Sequence, residues 1–292
     1  MILSKTTERT VLQLDDYTIP WLQYGDQQIS PIMHFSPANG IPAASYDSFF
    51  KKLEHRFAIS AMDSRGAWEN IKSPDESLTF HDYADDLINA LQLNYNIPVI
   101  GVGHSLGGII TILAAIKRPE LFSKIVLIDP ASTPTRLANY IFQLLPKSLH
   151  LKFFSFIRGS LERRSIWDSR EQFFNNYRDH KTFERFTDQA LIDYAHHGLR
   201  KRSDGQYELI FSPEWESFNF RKVGFLWDQL SALSHPILFL RAEHGSLYND
   251  ATFTKYNRRL SDNVTAITLK NTSHLMTHEQ TDVVSTAVLE WL

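Results

Sequence analysis

The residues Gly103-His104-Ser105-Leu106-Gly107-Gly108 contain Gly-x-Ser-x-Gly between a short apolar run, Val99 to Val102, and a longer helix-compatible run that follows at once. A strand that turns into a helix in so few residues forces the central serine into a strained backbone conformation, where flanking side chains would collide. Glycines at 103 and 107 remove those collisions. The Ser105 hydroxyl is then raised above the sheet edge, with the N–H groups of the helix start, Leu106 first, beneath it to hold a developing oxyanion. A neutral hydroxyl is a poor nucleophile and needs an adjacent base. His274, in the loop Asn271-Thr272-Ser273-His274, carries an imidazole, the side-chain type suited to accept that proton and return it to a leaving group. The imidazolium formed midway then requires an oriented carboxylate. Gly-x-Ser-x-Gly can equally be a glycine-rich turn without chemistry, but here the strand, the turn and the helix are all legible.

The elements that must position these residues follow from periodicity. Thr10 to Leu14 and Tyr17 to Tyr24 alternate around Asp15-Asp16, predicting an antiparallel hairpin. Pro31 to Phe35 is a short strand ending in the loop Ser36-Pro37-Ala38-Asn39-Gly40-Ile41-Pro42. Tyr46, Phe49, Phe50 and Leu53 share a helical face, Phe57 to Met62 is the next strand, and Thr79 to Leu93 is a helix with Tyr83, Leu87 and Leu91 on one side. Lys124 to Asp129 is a further buried strand. Alternation resumes with Pro236 to Leu240 as strand, Asp250 to Leu260 as helix, Val264 to Leu269 as the last strand and Thr277 to Leu292 as the closing helix.

Between these blocks, 131–235 interrupts the pattern and carries 19 of the chain's 37 aromatic residues. A core segment this long would need parallel strands, so the expected organisation is a core of 1–130 and 236–292 with a mainly helical cap inserted over the site. Most cap aromatics should pack between helices, and some should line an apolar pocket. Arg163-Arg164 and Arg200-Lys201-Arg202 stand among interleaved acids and read as solvated faces. His196 and His197 would point about 100° apart on a helix and make poor co-ligands, so no metal is expected.

The 292 residues carry a formal net charge of −3, giving no global basic field for nucleic acid or an anionic membrane. With no cysteine, disulfides, thiolate catalysis and cysteine-based metal sites are excluded. The N-terminal residues lack the apolar core of a secretory signal and no stretch approaches the length of a membrane span, so a cytoplasmic protein without an integral membrane segment is expected.

Over nearly its whole length the chain resembles the α/β-hydrolase superfamily, on Gly103-His104-Ser105-Leu106-Gly107-Gly108, Asp63-Ser64-Arg65-Gly66 and Ser273-His274-Leu275, with Ala38-Asn39-Gly40-Ile41-Pro42-Ala43 resembling a branch in which Asn-Gly replaces His-Gly. The resemblance implies an α/β fold with a mostly parallel central sheet flanked by helices. It also implies Ser105 as nucleophile, His274 as general base, and an oxyanion hole from the N–H groups of Leu106 and Ile41. Asp63 to Gly66 would form an ion pair and tight turn with no chemistry. In the commonest family pattern the acid would stand about where this chain has Gly245. Asp129, at the end of the neighbouring strand as in some family members, is the first choice, Glu243 the alternative, and Asp250 a more distant one. The function implied is a cofactor-free serine hydrolase of esterase or lipase type, cleaving a small or medium apolar ester through an acyl-enzyme. A carbon–carbon bond hydrolase or perhydrolase would use the same elbow, and a non-catalytic binder of this fold is the reading from another class. Ser105 disfavours haloalkane dehalogenase and epoxide hydrolase, which need a carboxylate there.

Overall fold

The computed structural model describes residues 8–14 and 17–292. The strands β1 (Glu8–Leu14) and β2 (Tyr17–Tyr24) pair antiparallel as the alternation predicts, while the turn at Asp15-Asp16 lies outside the described residues. Then follow β3 (Ile32–Ser36), α1 (Asp47–Leu53), β4 (Ala58–Met62), α2 (Phe80–Asn94), β5 (Val99–His104), α3 (Leu106–Lys117) and β6 (Phe122–Ile128). After a long excursion come β10 (Ile237–Ala242), α11 (Asp250–Asn257), β11 (Val264–Leu269), α12 (Met276–Glu279) and α13 (Thr281–Trp291). The eight strands form one sheet in the order β1-β2-β4-β3-β5-β6-β10-β11. From β4 onward its neighbours are parallel, which puts helices on both faces and buries the central strands on both sides. Every residue of β5 is buried accordingly.

Two apolar cores result. One lies under α2 and α3 and includes Leu87, Leu91, Ile112 and Phe239, whereas the other lies under α1 and α13 and includes Phe49, Phe50, Leu53 and Val288. Helix α2 starts where Thr79 accepts from the His81 N–H and Asp82 reaches back to the Thr79 N–H, a capping box that fixes its first turn. The closing helix is not continuous: α12 and α13 are separated at Gln280, whose φ of −133° leaves the helical region.

The excursion between β6 and β10 contains α4 (Arg136–Leu144), α5 (Lys147–Phe153), α6 (Ser155–Leu161), α7 (Arg170–Arg178), α8 (Asp188–His197), α9 (Pro213–Lys222) and α10 (Trp227–Leu230). It also holds a small antiparallel sheet of β7 (Ile166–Trp167), β9 (Tyr207–Leu209) and β8 (Leu199–Lys201), which the pattern does not predict. Its aromatics divide between the two cores: Trp215, Phe218 and Trp227 join the first, and Trp167, Phe173 and Tyr194 the second.

Candidate active site

Ser105 links β5 directly to α3, with φ 53° and ψ −113°. That left-handed backbone is uncommon for a residue with a side chain and marks a strained turn. Its neighbours must be bare: a Cβ on Gly107 would stand 1.9 Å from the Ser36 carbonyl oxygen, and one on Gly103 would stand 2.4 Å from that of Gly107. Strand β5 is anchored beyond its last residue, since the Ser105 N–H donates to the Ile128 carbonyl at 3.0 Å. Leu106, first in α3, has no carbonyl one turn earlier in the helix to accept its N–H.

His274 Nε2 lies 2.9 Å from Ser105 Oγ, and its Nδ1 lies 2.6 Å from Asp129 Oδ2. Asp129 follows β6 and has φ 39°, a bend that carries its carboxylate off the strand end. The residue is buried, and Oδ1 accepts from the Ala242 N–H at 3.1 Å and the Ser246 hydroxyl at 2.9 Å. A buried carboxylate with one oxygen held by two donors is a fixed group whose other oxygen can accept from an imidazole N–H. Glu243 is turned elsewhere, accepting from Lys270 Nζ at 2.6 Å and the Asn271 N–H at 2.8 Å. Asp250 pairs with Arg241 at 2.7 Å. Gly245, with φ 62°, lines the cavity beside His274 without a side chain.

Behind these residues a second chain of hydrogen bonds ties the loops together. The Ala38 N–H donates to Tyr46 Oη at 3.1 Å, Tyr46 Oη lies 2.8 Å from His104 Nδ1, and His104 Nε2 lies 2.8 Å from the His274 carbonyl oxygen. A carbonyl can only accept, so Nε2 carries the proton and Nδ1 accepts from the Tyr46 hydroxyl. Burial, and secondarily the neighbouring His274, pull the His104 pKa down to about 3, which keeps the ring neutral and this tautomer fixed. The loop before His274 is held by the buried carboxylate of Glu279, which accepts from the Ser273 N–H at 2.9 Å, from the Ser273 hydroxyl, and from Arg185 Nε at 3.1 Å.

The loop carrying Ile41 turns through Gly40, whose φ is 79°. Here the Ile41 N–H reaches the Ala38 carbonyl only at a long 3.4 Å. This turn is gripped by residues from β6–β10. Asn39 Nδ2 donates to the Glu216 carbonyl at 2.9 Å, Asn219 Nδ2 donates to Asn39 Oδ1 at 2.9 Å, and Tyr194 Oη donates to the Gly40 carbonyl at 3.1 Å. The Glu216 carboxylate packs so closely that a Cβ on Gly40 would stand 2.6 Å from its Cδ. Arg163 completes the cluster through Glu216 at 2.8 Å, Tyr177 Oη at 2.8 Å and Tyr194 Oη. Its side chain is 11% exposed, so the expectation of a solvated arginine is corrected: the carboxylate that balances it stands 53 residues away in the chain. Arg164 is exposed over the Trp167 ring, and Arg200 and Arg202 pair with Glu208 and Asp204, as solvated faces do. Arg65, in the stretch read as a structural turn, forms its ion pair with Asp86, and Asp63 accepts from the Ala43 N–H at 2.5 Å.

Ser105, His274, Ile41 and Gly40 line a partly open cavity of about 300 Å³ together with Arg163, Phe183, Tyr194, Glu216, Phe220, Lys181 and Leu275. Apolar walls with a few convergent polar groups are the usual character of a small-molecule site. Sequence periodicity carried no sign of Arg163, Tyr194, Glu216 or Glu279 in this role, because their partners lie on other elements.

A mostly parallel sheet flanked by helices, with a serine raised at a strand-to-helix elbow, defines the class as an α/β-hydrolase fold. A sequence model of the alpha/beta hydrolase family matches residues 35–287, and the chain belongs to that family. It is 23% identical over 250 residues to the uncharacterized hydrolase YugF of Bacillus subtilis (strain 168), covering 86% of this chain and 85% of that one. A 99-residue segment is 33% identical to 2-(acetamidomethylene)succinate hydrolase of Mesorhizobium japonicum, covering 34% of this chain and 35% of the relative. The crystal structure of E-2-(acetamidomethylene)succinate hydrolase superposes with a TM-score of 0.81 at 19% identity, covering 98% of this chain and 99% of that one.

Proposed function

We propose that the protein is a serine hydrolase that cleaves a small or medium apolar ester through an acyl-enzyme. The observation that carries this reading is the unbroken line from Ser105 Oγ through His274, at 2.9 Å, to Asp129, at 2.6 Å. His274 takes the Ser105 proton as the hydroxyl attacks the ester carbonyl, then delivers it to the leaving alcohol; water repeats the sequence to release the acid. Asp129 holds Nδ1–H and balances the imidazolium, while the Leu106 and Ile41 N–H groups receive the oxyanion. Residues 1–130 and 236–292 supply this chemistry, and the cap, 131–235, selects the acyl group through Phe183, Tyr194 and Phe220. No cofactor enters any step.

The test is fluorophosphonate labelling followed by intact-mass analysis and a screen of p-nitrophenyl esters of graded chain length. One adduct, mapped to Ser105 and lost in Ser105→Ala, is expected; an unlabelled native protein would sink the reading. A second reading, an acidic acyl group, is favoured by Lys181, which lines the cavity and has no ion-pair partner among the described residues, and by the acidic substrate in the name of one relative. A p-nitrophenyl hemisuccinate in the same screen separates the two, since preference for it over neutral esters would replace the apolar reading.

A further inference from the structure

We propose that the face formed by α4, α5 and α6 docks the protein onto an anionic lipid surface. Helix α4 has no buried residue, yet Leu137, Tyr140, Ile141 and Leu144 recur at the spacing of one helical stripe and are 68%, 64%, 53% and 65% exposed. Phe153 on α5 and Phe156 on α6 are exposed as well, at 64% and 52%. The stripe is not the result of a helix left unpacked. Its opposite side is engaged, with Phe142 set edge-on against His150 and Phe154 at ring separations of 4.5 and 5.1 Å. Polar ties fix the helix to the body: Thr135 caps it, Gln143 Nε2 donates to the Val223 carbonyl at 2.9 Å, and Arg136 pairs with Asp228. A contiguous apolar stripe held outward on a folded domain marks a surface that meets something apolar.

Charge identifies what it meets. Residues 131–161 contain Arg136, Lys147, Lys152 and Arg158 and no aspartate or glutamate, within a chain whose formal net charge is −3. Lys147, Lys152 and Arg158 are exposed and have no ion-pair partner among the described residues. Exposed apolar side chains on a segment that carries cations and no acid, with Lys152 Nζ 5.5 Å from the exposed Phe153 ring, are complementary to acyl chains under anionic headgroups, and a nine-residue amphipathic helix suits the interface plane. No helix among the described residues is long and apolar enough to cross a membrane, so the contact is peripheral. The face also adjoins the site: the Phe156 ring lies edge-on 5.3 Å from Phe220, which lines the cavity over Ser105. Docking would therefore bring the cavity wall close to lipid esters, a consequence that rests on the serine-hydrolase reading although the docking itself does not.

The experiment is vesicle flotation of the 292-residue chain carrying Ser105→Ala with phosphatidylcholine vesicles, with and without phosphatidylglycerol. Partition should rise about tenfold or more with the anionic lipid and fall as salt is added. Ile141→Glu/Leu144→Glu should abolish it and Lys147→Glu/Lys152→Glu should return it to the level on phosphatidylcholine alone. Both variants, made in the Ser105 background, should hydrolyse a soluble short ester at the native rate and melt at the native temperature, which excludes a folding defect. No partition, or partition indifferent to both double variants, overturns the proposal. So does sedimentation that shows self-association through the α4 stripe with no vesicle binding, since the occupant would then be a second copy. If vesicles bind but Ser105 cannot be labelled, the proposed chemistry fails and the docking stands.

Discussion

Asp129 occupies a backbone conformation, φ 39°, that residues with side chains avoid, at a cost of order 1 kcal/mol or more. The bend directs Oδ2 to His274 while Oδ1 is secured by Ala242 and Ser246. Asp129→Asn should keep the fold and lower kcat by about 10⁴, the cost of the matching change in a well-studied serine triad, because the amide stabilises the wrong tautomer and cannot balance an imidazolium. Glu243→Gln should leave turnover within a factor of about two, since the amide oxygen can still accept from the Asn271 N–H and only the exposed ion pair with Lys270 is lost. Steady-state kinetics on the best ester of the screen measure both, and the reverse ranking would move the acid to Glu243. The sequence leaves Asp129, Glu243 and Asp250 open because strand position says which carboxylates stand near a sheet end but not where each points. What separates them is competition: Lys270 and Asn271 take Glu243, Arg241 takes Asp250, and among the described residues Asp129 has no basic side chain on it except His274.

Between elements, the pairing of Arg163 with Glu216 shows why the main sheet and its helices are more legible than the excursion between β6 and β10. Buried strands and amphipathic helices announce themselves by repeats within a few residues, as β11 does with its predicted bounds Val264–Leu269. Partnerships across 53 or 31 residues, such as Arg163 with Glu216 and Tyr194, leave no local signal, and β7, β8 and β9, at two or three residues each, are too short to show alternation. These same contacts hold the Asn39-Gly40 turn ahead of Ile41. Arg163→Met leaves Glu216 buried without its cation, so melting should drop by about 10 °C, from a loss of roughly 3 kcal/mol or more. Turnover should fall through kcat with KM little changed, because in the proposed mechanism the turn presents an oxyanion donor rather than a ground-state contact. Arg163→Met/Glu216→Leu should recover part of the melting temperature and none of the turnover; recovery of both together would make the pair purely structural.

Across the whole molecule, acid should be the condition that unfolds this protein first. His34 in β3, His104 in β5 and His278 in α12 are fully buried, and burial pulls each pKa from the ordinary 6.5 to about 3. The folded protein therefore keeps three neutral imidazoles where the unfolded chain takes up three protons. For a depressed histidine the stabilisation is complete above pH 6.5 and is lost as pH falls from there toward 3, at about 1.4 kcal/mol per pH unit for each ring. Three rings acting together lose about 4 kcal/mol per unit, so two to three units below 6.5 remove roughly 8–12 kcal/mol, comparable with an ordinary folding stability of roughly 5–15 kcal/mol. Calorimetry should show the melting temperature level near neutrality and falling steeply below pH 6, with activity lost along the same curve. His34→Gln keeps a polar partner for Ser60 Oγ, 2.8 Å from the native ring, but never titrates. It should lower stability at pH 7.5 yet flatten the acid slope by about a third, because one of three proton uptakes is gone. A melting temperature constant from pH 7 to 5 would mean that these rings are protonated inside the fold. His104 Nδ1 would then carry a proton of its own and donate to Tyr46 Oη, reversing the direction of that hydrogen bond while Nε2 still donates to the His274 carbonyl.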